Sequence, residues 1–300
     1  MGVGLESVSW CNGNTSVFGA EFPGSNPGET TLFSSPDLPA LVQVRIFLFL
    51  TMDYNRRNAH RRDRCIEFDA ASHTYTAICP DGLRLPCDSV TTVVEGLFDK
   101  FDAEYWAARK ATPKHPAEVI IKEWEAKGKE ARDLGTLMHD RIERHYLSEL
   151  IENEAFEDPA FRNFLTFSKR IQLTPYRSEW RIFSEKYRIA GTLDFLAFDG
   201  RNFEIYDWKR SNKIVDKSGK PITENRFGRH AHDPISDVPD TTFQHYALQL
   251  SLYRYILETE YNIQPVACHL GNFHPDYSEP YVVDVPYLRT QVVRILNSRL

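Results

Sequence analysis

The sequence predicts an α/β protein in which a mixed central β-sheet is flanked by α-helices. Three strand-like runs lie together between two amphipathic helix patterns, and two more strand-like runs follow the second helix. The chain has 300 residues, of which 42% are hydrophobic and 26% charged, a composition typical of one or two globular domains. An aromatic content of 13% is higher than long disordered tracts would give.

Residues 1–51 differ from the rest of the chain. Gly, Ser, Asn and Pro dominate as far as Pro36 without helix or strand periodicity. We expect a disordered or non-native extension, with the true start at Met52. The stretch Gly24–Gly28 can be encoded by nucleotides that resemble the T-arm of a transfer RNA gene, which favours a mis-assigned start over a natural tail. The apolar run Leu38–Leu50 contains Arg45 and is short for a membrane span, so no membrane partner is expected.

Residues 52–300 are predicted to form a single domain. Its first part, Asp53–Arg64, is strongly basic and is expected to be a solvated arm able to touch phosphate. Strands then flank a Pro80–Asp81–Gly82 turn, and a helix follows with Ser89 or Thr91 as its N-cap. Beyond these, the pattern predicts one or two helices over 116–150, a helix over 159–171, strands over 179–188, 191–198 and 203–209, a mobile polar insertion over 211–240, a helix over 242–260, and strands over 266–273 and 281–285.

Charge and cysteine content exclude some classes of protein. A net charge of -6 argues against a binder with a basic field over its whole surface, but not against an enzyme that holds metal ions over DNA with carboxylates. No two cysteines form a CxxC pair, which excludes zinc-ribbon and clustered iron–sulfur spacings. Their odd number, with no recognisable secretory leader, predicts reduced thiols and a cytoplasmic location; the five are Cys11, Cys65, Cys79, Cys87 and Cys268.

The stretch GTLDFLAFDGRNFEIYDWKRS, residues 191–211, places charges within a predicted buried hairpin. If residues 199–202 form the turn, Asp194 lies opposite Asp207, with their Cβ atoms about 5 Å apart. Two such carboxylates repel each other unless a divalent cation such as Mg²⁺ lies between them. Lys209 shares a strand face with Asp207, where it can orient a water molecule or stabilise a phosphorane, while Trp208 faces the other side. The alternative is an exposed hairpin end with ordinary charges.

These residues resemble a known family. G-x-x-D followed by an aliphatic strand ending in D-x-K is similar to the PD-(D/E)XK nucleases, in particular to the RecB-like and lambda-exonuclease-like branch that includes mitochondrial genome-maintenance exonucleases. Two further motifs of that branch have counterparts in this sequence. A helical G-x-x-x-H is matched by Gly135 and His139, with Glu143 one turn later, and Q-x-x-x-Y is matched by Gln249 and Tyr253.

The resemblance implies a restriction-endonuclease-like core and a metal-dependent deoxyribonuclease. Mg²⁺ or Mn²⁺ would be held by Asp194, Asp207, His139 and an additional acid, for which Glu185 is preferred over its rival Glu179. Lys209 would assist water attack. The residues implied to support the site or the DNA are Gln249, Tyr253, Glu143, Gly135 and Arg210. The chain departs from the family in having Leu193 where a proline is usual, and the cysteines that hold an iron–sulfur cluster in some relatives are absent, so no cluster is expected.

An exonuclease acting at free ends of double- or single-stranded DNA fits this branch, in recombination, repair or phage DNA processing. One alternative is a non-catalytic DNA-binding or assembly module, although degenerate copies usually lose an Asp or the Lys. Another is a structure- or site-specific endonuclease, which would cut closed circular DNA. The 211–240 insertion is either a basic flap over DNA or a plain loop, and Trp106 and Trp124 either stack unpaired bases or belong to the core.

Overall fold

The computed structural model describes residues 53–300, which lie within one compact unit. The predictions made for residues 1–51 and for Met52 fall outside the described residues. The basic start of the domain is not the solvated arm that its charges predicted. Helix α1 (Tyr54–Arg57) and a 3-10 helix (Arg61–Cys65) pack on the sheet. The Tyr54 hydroxyl is buried and donates to Ser178 Oγ over 2.9 Å, so an aromatic anchor outweighs the preference of the arginines for water.

The described part of the chain forms an α/β fold around an eight-stranded mixed sheet. Along the main path the strand order is β1-β2-β3-β5-β6-β7-β8, and β4 pairs with β5. The strands are β1 (Ile66–Asp69), β2 (Thr74–Ile78), β3 (Arg84–Ser89), β4 (Pro175–Ser184), β5 (Ile189–Phe198), β6 (Phe203–Lys209), β7 (Pro265–Asn272) and β8 (Tyr281–Asp284). The remaining α-helices are α2 (Val90–Glu95), α3 (Ala103–Lys110), α4 (Ala117–Tyr146), α5 (Pro159–Arg170), α6 (Thr242–Glu260) and α7 (Arg289–Asn297), and a second 3-10 helix spans Asn153–Glu157.

Two hydrophobic clusters lie on the sheet. Helix α6 is apolar on most sides, which suits a buried helix, and it packs into the larger cluster with Leu193 and Leu196 of β5. The second cluster joins the end of α4 to α5 and to β5, β6 and Phe273. Trp208 lies in this second cluster, as the strand alternation predicted.

Most sequence-predicted elements occur where they were expected. The hairpin turn is confirmed, since Phe198 pairs with Phe203 and the register continues to Phe195 and Tyr206. The helix over 242–260 is also confirmed, Ser89 is the N-cap of α2, and residues 116–150 contain one helix rather than two. Helices α3 and α7 were not predicted. The 211–240 insertion has no helix or named strand, yet Ile214 and Ile235 are buried in the larger cluster, so the insertion is anchored at several points. Its mobility stays a prediction.

The sheet forks at the middle of β5. One edge of β5 pairs with β4 from Ile189 to Ala197. The other edge pairs with β3 only at Ile189 and Ala190, and with β6 only over residues 195–198. On this second edge, residues 191–194 therefore pair with neither β3 nor β6, which diverge from each other. Backbone groups that leave a ladder need other partners, and polar side chains can supply them.

Within residues 53–300, none of the helices combines the length and the apolar character needed to cross a membrane.

Candidate metal site

Asp194 lies at the fork of the sheet, where the β5–β6 ladder ends. Its carboxylate is only 8% exposed, and its Oδ2 accepts a hydrogen bond from the backbone N–H of Trp208 over 2.8 Å. This bond replaces the ladder bond that would have continued the hairpin. The Asp194 carboxylate, which is unusual in a buried strand, thus supplies a backbone hydrogen bond where the β5–β6 ladder ends. It also faces the neighbouring side chains.

His139 projects from the C-terminal half of α4 toward the same point. Its Nε2 lies 2.8 Å from the carbonyl oxygen of Trp208, which can only accept, so Nε2 carries a hydrogen. In the neutral imidazole the lone pair is then on Nδ1, which lies 3.6 Å from Asp194 Oδ2 and 3.7 Å from Glu179 Oε1. Burial lowers the pKa of His139, but Asp194 and Glu179 outweigh it and raise the pKa to about 9. Without a cation, a proton on His139 offsets one of the two negative charges.

Glu179 is the third member of this group, and it holds a strained backbone conformation. It lies across from Asp194 between the Trp180–Leu193 and Ser178–Phe195 pairs of β4 and β5. Its φ of 44° falls in the left-handed region, which costs a non-glycine residue about 1–2 kcal/mol. Such strain inside a strand persists only where the surroundings impose it, and it occurs most often at functional sites.

The preferred additional acid, Glu185, is not part of this group. It lies in the turn between β4 and β5, six residues beyond Glu179, which is about 20 Å of extended strand. Its carboxylate pairs with Arg62 over 2.6 Å and helps to dock the start of the domain. The structure therefore replaces Glu185 with its rival Glu179 as the candidate third ligand.

Asp207 and Lys209 form an ion pair beside the group. Asp207 is 1% exposed, and its Oδ2 contacts Lys209 Nζ, which also lies 3.9 Å from Asp194 Oδ2. Burial and the charge of Asp194 raise the pKa of Asp207 to about 6, although Lys209 opposes the shift. Burial disfavours the Lys209 ammonium, yet the two aspartates hold its pKa above the usual value. The ammonium also lies 4.9 Å from the centre of the Tyr246 ring.

Helix α6 closes the site from the face of the larger cluster. Gln249 Nε2 donates to Asp207 Oδ1 over 3.3 Å and lies 3.4 Å from the Tyr253 hydroxyl. Tyr253 packs directly on the backbone of Gly191, where a Cβ atom would come within 2.6 Å of its ring. The glycine of G-x-x-D thus lets the helix approach closely enough for Gln249 to reach Asp207.

The other predicted residues are Glu143, Gly135 and Arg210. Glu143 accepts from Ser178 Oγ over 3.1 Å, and burial together with the nearby Glu179 raises its pKa. Gly135 lies one turn before His139 and has open space where a side chain would point. Arg210 follows β6 and lies close enough to His274 to contribute to the lowering of its pKa, which is due mainly to burial.

The donor set fits a divalent cation. The ligand atoms of His139, Glu179 and Asp194 lie within 4.8 Å of one another, and ligands about 2.0–2.2 Å from one ion are about 3–4 Å apart. Carboxylate and imidazole donors together suit several divalent cations, whereas Mg²⁺ more often takes oxygen ligands alone. Asp207 is not one of the three grouped residues, and its two oxygens contact Lys209 and Gln249. No protein-family model matches the chain, and no match is found among curated proteins.

Proposed function

We propose that this chain is a metal-dependent nuclease that hydrolyses phosphodiester bonds in DNA, acting as an exonuclease at free ends. One observation carries the proposal: three side chains able to bind a metal ion, from a helix and two strands, converge beside a buried lysine that is paired with an aspartate. The motifs that resemble the PD-(D/E)XK nucleases give the reaction class, and the same resemblance suggests a restriction-endonuclease-like core for the mixed sheet.

His139, Glu179 and Asp194 would hold Mn²⁺ or Mg²⁺, with Asp207 close enough to share the charge. When bound, the cation would act as a Lewis acid toward the phosphate oxygens. The Trp208 carbonyl fixes the orientation of His139, and the Trp208 N–H fixes Asp194, so both ligands are positioned before the ion binds.

Lys209 would act as a fixed positive charge. Two aspartates keep its pKa above the usual value, so it stays protonated at neutral pH and can donate to a phosphoryl oxygen. Asp207 holds the ammonium in place, and Gln249 holds Asp207. Preorganised donors of this kind are typically worth 10²- to 10³-fold in rate.

The test uses the purified full chain with Mn²⁺ or Mg²⁺ and end-labelled DNA, linear or circular, single- or double-stranded. We expect metal-dependent loss of linear DNA, and a fall of at least about 100-fold in rate for Asp194→Asn and Lys209→Ala. Asp140→Asn is the matched control, because this exposed carboxylate adjoins His139 but points away from the three ligands. Metal-dependent cleavage retained in both site variants, with the fold intact by circular dichroism, would falsify the proposal.

A second comparison separates the two candidate acids. Glu179→Gln should abolish cleavage and weaken Mn²⁺ binding in titration calorimetry. Glu185→Gln should leave Mn²⁺ affinity unchanged and lower only the stability, because its carboxylate pairs with Arg62. The reverse pattern would return the ligand role to Glu185. Cleavage of closed circular DNA at a rate equal to that of linear DNA would identify an endonuclease instead.

A further inference from the structure

An exposed aromatic side chain stands on the 211–240 insertion. Phe227 is 67% exposed, and the guanidinium of Arg226 lies 4.5 Å from the centre of its ring. The ring is carried by a fixed turn. Asn225 Oδ1 accepts from the backbone N–H of Phe227 over 2.8 Å, and Gly228 closes the turn with a φ of 65°. The position of an exposed hydrophobic ring is thus set before any partner arrives.

Phe227 borders a groove of about 330 Å³ that carries more positive than negative charge. Its cations are Lys213, Arg226 and Arg229, and its acids are Glu224 and Asp240. Asp240 is engaged by two neighbours, since Arg229 Nε lies 3.6 Å and His245 Nε2 lies 3.0 Å from its carboxylate oxygens. The charges that remain are those of Lys213 and Arg226 against that of Glu224. The remaining balance favours an anionic partner, and the aromatic ring favours one with flat faces.

This groove continues to the candidate metal site. Thr242 and His245 line it and also line a second cleft, whose wall includes Gln249. These three residues occupy positions i, i+3 and i+7 of α6, so they follow one face of the helix over about 10 Å. Gln249 in turn donates to Asp207. Ten ångströms is about three nucleotides at the 3.4 Å rise of stacked DNA.

We propose that this groove holds an unpaired DNA strand leading away from the metal site, with one base stacked on Phe227 and its phosphates beside Lys213 and Arg226. The inference rests on the proposed nuclease function and adds the form of its substrate. Base faces are free to stack on a side chain when the strand is unpaired, whereas a duplex presents mainly its edges and its backbone. Stacking of this kind tolerates any base.

The test measures binding without cleavage, so it does not depend on catalysis. Fluorescence anisotropy of a labelled 20-mer of thymidine is recorded with the full chain in EDTA. We expect Phe227→Ala to weaken binding at least fivefold and Phe227→Trp to preserve it. Phe156→Ala is the matched control, because this ring is 46% exposed and packs on Phe161 in the second hydrophobic cluster, away from α6.

An abasic 20-mer isolates the stacking itself. Loss of the bases should weaken binding to the wild-type chain. The loss of affinity should be at least fivefold smaller for Phe227→Ala, since the stacking partner is already missing. Equal affinity of Phe227→Ala and wild type, no binding of the wild type to the 20-mer, or the same ring dependence with a blunt duplex would overturn the inference. Because the cleavage assays on Asp194 and Lys209 are separate, any of these results can arise while the nuclease proposal stands, and the reverse also holds.

Discussion

Replacing Gly191 with alanine should damage both the fold and the candidate site. The added Cβ would lie 2.6 Å from Cε1 and 2.8 Å from Oη of Tyr253. Carbon atoms normally pack at 3.5–4.0 Å, so the ring has to move by about 1 Å. Tyr253 is only 3% exposed and lies between β5 and α6, where no solvent gap receives it. Overpacking of this kind costs about 1–3 kcal/mol.

The displacement should also reach the metal site. The Tyr253 hydroxyl lies 3.4 Å from Gln249 Nε2, and the same amide group donates to Asp207. Urea unfolding of the full chain measures the stability, and the midpoint should fall without a change in the slope. Gly135→Ala provides the contrast. This glycine lies inside helix α4 with nothing near its missing side chain, so alanine should stabilise the chain by up to about 1 kcal/mol.

A double-mutant cycle identifies the clash as the cause. In a Tyr253→Leu background the ring is absent, and the cost of Gly191→Ala should fall by at least about 1 kcal/mol. Strictly additive costs would show that the alanine acts elsewhere, for example on the backbone. A Gly191→Ala chain as stable as the wild type would refute the close approach of α6 to β5 altogether.

Two further predictions concern the ligands. Glu179→Asn and Glu179→Gln both remove the carboxylate, but Asn tolerates the left-handed backbone better. The Asn variant should therefore be about 0.5–1 kcal/mol more stable than the Gln variant in thermal or urea unfolding. Equal stabilities would count against strain at this position. The pKa of His139 is raised from 6.5 to about 9, so the stability that its proton confers on the metal-free chain is complete below pH 6.5 and is lost as pH rises through 9. His139→Gln should remove this pH dependence from the unfolding curves. The affinity of the wild-type chain for Mn²⁺ in calorimetry should show the opposite trend and rise by up to tenfold per pH unit below 9. An Mn²⁺ affinity independent of pH would contradict the role of Nδ1.

The sequence was sufficient for the layered architecture and for the hairpin register from Phe198–Phe203 to Phe195–Tyr206, but not for the end of this ladder before Asp194 and Asp207. Alternation fixes which face a strand residue occupies, and a turn of known length fixes the partner across the hairpin, so Asp207, Trp208 and Lys209 could be oriented in advance. Helix α3 escaped because its eight residues carry little apolar periodicity. The prediction of a solvated arm at the start of the domain was wrong because Tyr54 and Arg62 have partners more than 100 residues away, which the local charge pattern does not show.

Spacing alone did not show that Glu179, rather than Glu185, lies beside His139 and Asp194. The distance from Glu179 to the side chains of α4 depends on the backbone angles of Glu179, which are left-handed rather than extended. A left-handed residue inside a strand cannot be recognised from the sequence unless it is Gly or Asn. The position of Gln249 was equally inaccessible in detail, since it depends on how deeply Tyr253 settles on Gly191. Motif spacing predicted the candidate site residues, whereas long-range packing determines which of them lie together.

The charges of the candidate site bear on whether the fold needs its metal. Burying several carboxylates without compensation would cost several kcal/mol each, and a chain in that state would depend on the ion to fold. Here Lys209 pairs with Asp207, and a proton on His139 offsets one of the two charges of Asp194 and Glu179. The Glu179 side chain is 34% exposed, so water solvates the charge that is left. The Trp208 backbone groups hold Asp194 and His139 in either state. The scaffold is therefore complete before metal binding, and an ion would have to displace one proton from Nδ1. Chelation should then remove the proposed cleavage activity while leaving the chain folded.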